Sequence, residues 1–475
     1  MLDVCMIATA FLVCALGASS SEADPDKHAK PDAMMIEAEE DVYSAQAANN
    51  GAGPLWSYGS TCIARAGEKV FISGIDMVPG AKPLNNVRWT LYQRGADNWE
   101  AIRCGDGRTR EPCPLASFSD GSLFLSDNPT LTEPDDYNGP ARPEVLRFSP
   151  AGAGAAPQKL LPVWEGAPEF TEHSYRSFAA DGKNGELILF QNVGYTHAEW
   201  SFRGRTGTWS AYGKLNWPWG ADYRKPAPIR TCYPTVALKD RAVYFCGVSD
   251  VIEPYPQWRE YKKEVSGRDW DYDFRRLFFT WSDDIASGTF HDWVEISSRD
   301  KTCGWIMPND LWVGPDGVVH VLWTERALDE RMRAKFFPNE KQTHALMYAR
   351  VRSGKVELKR PIQIGGEGES SEIPGTGRFQ VTKDGRLYAF YYVRGQNEKG
   401  EEVSENRVLE ILPDGTQTPA ARVPLERPFT RFYTATWRAG SAPSRILDVY
   451  GTRTDGGDAL SYARIRLRGS CRTEE

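Results

Sequence analysis

The sequence is poor in the residues that build metal sites. It holds six histidines in 475 residues, and its nine cysteines form no CxxC pair and no Cys/His cluster. The ligand spacings of structural zinc are therefore missing, and neither a metal nor a cofactor is expected. Basic residues are in deficit, 57 Lys and Arg against 64 Asp and Glu, for a formal charge of −7. That balance gives no footprint for nucleic acid. Past residue 20 no apolar run is long enough to span a bilayer. The opening MLDVCMIATAFLVCALGASSSEA carries an apolar stretch from Val4 to Leu16 followed by small residues, the length of a signal peptide. Residues 1–20 are read as that signal, which implies a secreted or periplasmic protein. In an oxidising compartment, Cys104 and Cys113, which bracket the polar loop CGDGRTREPC, are expected to form a local disulfide.

What the sequence has is repetition. An apolar strand, a tight polar turn and a second, more apolar strand recur seven times. The turns lie at Gly67, Gly121, just before Glu186, Asp240, Gly317, Gly385 and just before Arg445. Runs such as SLFLS, ELILFQN, AVYFCGV, VVHVLW and RLYAFYY follow them. One such module cannot bury both faces of its sheet until neighbours stack on it, so seven predict an all-β, seven-bladed β-propeller. The propeller is assigned to residues 56–471 as one cooperative unit, and a monomer is expected. Residues 21–55 read as a flexible polar leader, from which MMIEAEEDVYSA supplies a strand to complete the seventh blade and remove an exposed edge. Two loop insertions break the rhythm, 253–276 in blade four and 324–342 in blade five. In the second, Leu328, Met332 and Phe336 stand at helical spacing and predict a short amphipathic helix.

Candidate chemistry gathers in blades three and four. His173 stands at the start of an innermost strand and His197 just past the end of the next, two points expected to meet at the axial funnel. Histidine suits proton transfer near neutral pH. Tyr233 takes the position of His173 one blade later, with Arg230 beside it. Arg276 and Arg326 are further cations near the same mouth. The insertion 253–276 is aromatic and basic together, and Trp258, Arg259, Tyr261 and Lys262 are assigned to substrate, since ring faces stack on sugars while cations meet carboxylates or sulfates. Arg378 and Tyr433 stand at the inner-strand starts of blades six and seven.

The blades resemble those of BNR-repeat propellers, with TWSDDIASGTFHDWVEI (280–296) similar to a stretched Asp-box motif. The spaced histidine pair followed by a Tyr-Pro at the next blade resembles the propeller polysaccharide lyases of the ulvan lyase type. In those enzymes a His and a Tyr move protons during β-elimination while an Arg neutralises the uronate carboxylate. The resemblance implies catalytic roles for His173, His197 and Tyr233 and an acidic, uronate-containing, possibly sulfated polysaccharide as substrate. The family's arginine falls at Val248 or Ser249 here, so Arg230, Arg276 or Arg326 would have to replace it. Two other readings fit the same chain: a non-catalytic glycan-binding propeller, and a sialidase-like hydrolase using Arg378, Arg431 and Tyr433.

Overall fold

The computed structural model describes residues 34–96, 98–150 and 152–467; the expected signal segment and Cys471 lie outside them. Seven four-stranded antiparallel sheets follow one another along the chain. They span 63–104, 115–160, 176–216, 231–298, 305–366, 373–422 and 429–466, and together they form a seven-bladed β-propeller. The burial gradient across each blade explains the sequence pattern. The second strand of blade three, Glu186–Val193, is buried at every position but the last. The outermost, Trp209–Asn216, has exposed residues at alternate positions over much of its length. Inner strands touch neighbouring blades on both faces and so read as continuous apolar runs, while outer strands keep a solvated face.

The core sits between blades. Ile188, Phe190 and Trp200 of blade three pack with Val236, Leu238 and Phe245 of blade four, each worth roughly 1.5–3 kcal/mol on burial. The ring closes through Met35–Ser44, which pairs antiparallel with Ala459–Arg466 as the fourth strand of blade seven. The ion pairs Arg94–Glu40 and Arg453–Glu39 fasten that strand to the strands beside it.

Both insertions form helices. The longer one, which the spacing did not predict, lies in blade four, as α1 (Pro256–Ser266), with proline in its first turn and Gly267 at φ 71° ending it. That is the arrangement favoured by proline's fixed φ at the start and glycine's freedom at the stop. The blade-five segment forms the expected short helix, a 3-10 turn over Glu330–Met332 that runs into an α-helical turn over Arg333–Phe336, before Pro338. Met332 packs with Trp258 and Cys303 beneath α1, so the apolar spacing served a small shared core.

The expected disulfide is absent. Cys104 is exposed and Cys113 buried, and both are free thiols. Cys113 instead donates toward Asp127 Oδ1 at 3.4 Å, because it belongs to the core between blades one and two while Cys104 ends an outer strand.

Candidate functional site

Propeller connectivity puts the chain entering each inner strand, and the loops after each second strand, on one face. At the axis of that face the chain plugs its own mouth. Residues 53–60 turn tightly, with Trp56 and Ser60 N–H groups donating to the carbonyls of Gly53 and Ser57. Buried groups of the surrounding blades then hold the plug's carbonyls. Arg378 Nη2 donates to Tyr58 O at 3.0 Å, Arg438 Nη1 to Gly59 O at 2.9 Å, and the Tyr433 hydroxyl to Leu55 O at 2.7 Å. Arg438 is itself paired with Asp310 at 2.7 Å. Arg378 and Tyr433 are therefore structural anchors, not substrate contacts: both are buried, and their donors are spent on backbone.

Tyr233 lies under this plug. Its ring meets Tyr58 at 4.6 Å, Tyr175 at 5.5 Å and Trp56 at 6.2 Å. It sits at φ 50° within a register shift between Cys232 and Thr235, a bulge that redirects the side chain toward the axis. Burial first, then the neighbouring Tyr175 and Asp250, pushes the phenol well above its ordinary range. Burial and Glu111 do the same to Tyr175. Neither hydroxyl has a hydrogen-bond partner among the described residues. Both are thus protonated donors with nothing to donate to, and neither is a base.

His173 stands at the rim. A turn in which Thr171 N–H donates to Ser174 Oγ presents it to solvent, and its side chain is 48% exposed. Nδ1 lies 2.8 Å from Glu172 Oε1. The carboxylate can only accept, so the shared hydrogen belongs to Nδ1 and Nε2 is left as an acceptor facing outward. Glu172 is buried, yet the hydrogen bonds from His173 and from Gly139 N–H outweigh that burial and hold its carboxyl below the usual range. The His173 ring is 6.4 Å from Tyr175, which links it to Tyr233.

His197 does not join this group. It opens the third strand of blade three, paired with Val193 and Asn216. Both its ring nitrogens are engaged, Nδ1 with Thr196 Oγ1 at 2.7 Å and Nε2 with Glu199 Oε1 at 3.2 Å. Among the described residues no bond or ring contact links it to His173. The hairpin argument placed it one strand too close to the axis.

Two of the three candidate arginines are paired with carboxylates, and Arg326, among the described residues, is not. Arg230 pairs with Asp250 at 2.8 Å and is roofed by Tyr195 at 4.0 Å, Tyr272 at 5.5 Å and Tyr175 at 5.9 Å. The two roofing hydroxyls, Tyr195 and Tyr272, meet at 2.7 Å. Arg276 pairs with Glu295 and Asp222. Arg326 lies between Trp305 and His344 in blade five.

Of the insertion residues, Trp258 and Lys262 are buried. Lys262 donates to Glu253 at 2.6 Å, and Glu253 also holds Arg275 through paired bonds of 2.8 and 2.9 Å. A charged pair inside α1's own core explains why an aromatic–basic loop looked like a binding surface. Tyr261 packs on Phe336 under Lys335, and Arg259 donates to Asp269 O.

The structure adds Glu172, Tyr175 and Tyr195 to the site, and brings Tyr272 of the aromatic insertion against Tyr195. A carboxylate directly before His173 was the one local signal for any of the three.

No family model matches the chain, and no curated protein matches it. Among solved structures, a protein of unknown function from Dyadobacter fermentans is similar over 92% of this chain and 99% of its own, at 11% identity and a TM-score of 0.43. An alpha-L-arabinanase from Penicillium chrysogenum is similar over 74% of this chain and 92% of its own, at 11% identity and 0.39. The β-propeller domain of Cps50 (Swd1) from Myceliophteria thermophila covers 90% of this chain and 99% of its own, at 9% and 0.41. The fold assignment rests on the sheet topology itself.

Proposed function

We propose that this is an exported, carbohydrate-engaging propeller that cleaves an acidic polysaccharide by β-elimination at the rim of blades three and four. The observation that carries the reading is the Glu172–His173 pair, which keeps Nε2 open beside two unpartnered phenols. In such a step Nε2 removes the proton α to the uronate carboxylate. The electron pair forms the ring double bond, the glycosidic carbon–oxygen bond breaks, and the phenol of Tyr175, the one beside His173, protonates the departing oxygen. A positioned base contributes about 10²- to 10⁴-fold. The crevice lined by Trp56, Glu111, Tyr175 and Tyr233 has a volume of 10 Å³, so a sugar would lie across the rim and not inside it. The exposed Tyr195 offers it a ring face.

A second reading is binding without cleavage, favoured by one observation: Arg230 and Arg276, the candidate cations of blade four, both have carboxylate partners, which leaves Arg326 of blade five as the candidate without one among the described residues. Ultraviolet absorbance of unsaturated uronate across a panel of uronate polymers separates the two. Product formation supports elimination. Retention of a polymer on the immobilised protein with no product supports binding alone, and neither result would leave only the fold.

A further inference from the structure

On the face opposite the plugged mouth, where the turn after the third strand of blade three meets blade two, lies a hollow of 690 Å³. Arg147, Lys183, Arg203 and Arg205 line it, and Asp120 is the one carboxylate in the lining. Both Asp120 oxygens are already taken by Ser122. The cations are not balanced from within.

Arg203 is the anomaly. It is only 6% exposed, yet among the described residues it has no ion pair and its buried Nε finds no acceptor. Its guanidinium lies over the Phe124 ring at 5.9 Å. Burial, then the charge of Arg147, pushes its pKa down. The other groups close by are committed: Arg147 donates to Ser122 Oγ and Arg205 to Asn184 Oδ1. A Cβ on Gly207 would lie 2.9 Å from Arg203 Nη2, so the glycine lets the guanidinium rest against the turn. Buried cations in folded proteins are ordinarily paired, because an unpaired one costs several kcal/mol. Here the missing partner is an external anion.

We infer that this hollow binds the sulfate or phosphate ester group of a sugar-sized molecule, with Arg203 as its principal contact. A planar guanidinium presents paired N–H groups that match tetrahedral oxyanions. The volume exceeds what a bare ion needs and falls in the range of about 300–1,000 Å³ typical of small-molecule sites. Gln158 and Thr206 supply polar groups for sugar hydroxyls. The hollow also shares Phe118, Ser119, Gly182, Lys183 and Asn184 with the axial cavity of 660 Å³ at the base of the propeller, which leaves room for the rest of the molecule. This site is independent of the elimination reading, since it lies at the other end of the ring.

The test uses the full chain with galactose 6-sulfate, glucose 6-phosphate, inorganic sulfate, inorganic phosphate and unmodified glucose, by titration calorimetry and thermal unfolding. One of the sugar esters should bind and raise Tm as linkage requires, and the better ester identifies the source of the oxyanion. Arg203→Met should raise the ligand-free Tm by removing an unpaired buried charge, while weakening ester binding about 10- to 100-fold. Lys183→Ala, on the exposed rim, should leave Tm unchanged and weaken binding less. Binding of inorganic ions alone overturns the sugar-ester assignment. Absence of any anion binding, or an Arg203→Met protein that binds like wild type, overturns the site.

Discussion

Tyr58 and Tyr233 meet ring against ring, centroids 4.6 Å apart, and that contact seals the axial mouth of the propeller. Tyr58 comes from the segment leading into blade one and Tyr233 from the inner strand of blade four, so the plug ties the chain's start to the middle of the ring. The axis is thus a structural joint, and His173 stands outside it, exposed at the rim.

The joint depends on Gly59. A Cβ there would lie 1.8 Å from Pro234 O and 2.3 Å from Pro234 C, both backbone atoms with no freedom to move aside. Gly59→Ala should cost about 3 kcal/mol, read as a lower denaturation midpoint. Gly53→Ala, where nothing lies within 4 Å, should change little by comparison.

Glu253 gives a pH prediction. Burial alone would raise its carboxyl, but hydrogen bonds from Arg275 and Lys262 outweigh burial and hold it below the ordinary 4.5. A depressed carboxyl contributes stability that is complete above the unfolded value and is lost as pH falls through the lower folded one. Glu253→Gln should cost about 3–5 kcal/mol at neutral pH, since it strands buried cations. The difference between wild type and variant should shrink on acidification below pH 4.5. Glu111 and Asp127, raised by burial, act with the opposite sign, so the comparison must be made between the two proteins and not on wild type alone.

The thiols offer a third check. Cys104 should react with iodoacetamide in the native protein and Cys113 only after unfolding. Peptides digested without reduction should carry the two residues separately; a joined pair would contradict the structure.

The blades were legible in the sequence because each turn interrupts two apolar runs at a fixed place, and stacking turns that local rhythm into a ring. The closing strand was legible too, since blade seven offered three strands and MMIEAEEDVYSA alternates. The plug was not: GPLWSYGST has no period, and its role depends on arginines hundreds of residues away. Helix α1 did carry its signals, Pro256 and Gly267, but its charged residues masked a core that exists only because Glu253 neutralises Lys262 and Arg275. His173 was found by its rarity and its strand position. The separation of His197 from it was hidden, because pairing along a hairpin does not reveal which strand lies nearer the axis.

In the proposed elimination, His173, oriented by Glu172, is the base at the rim. The most direct measurement is the rate of ultraviolet absorbance increase on a uronate polymer for wild type, His173→Ala and Glu172→Gln, with unfolding midpoints recorded for each. The account predicts a loss of about 10²- to 10⁴-fold for His173→Ala, a smaller loss for Glu172→Gln, and a His173→Ala midpoint close to wild type because that side chain is half exposed. Undiminished product formation by a folded His173→Ala protein would contradict it.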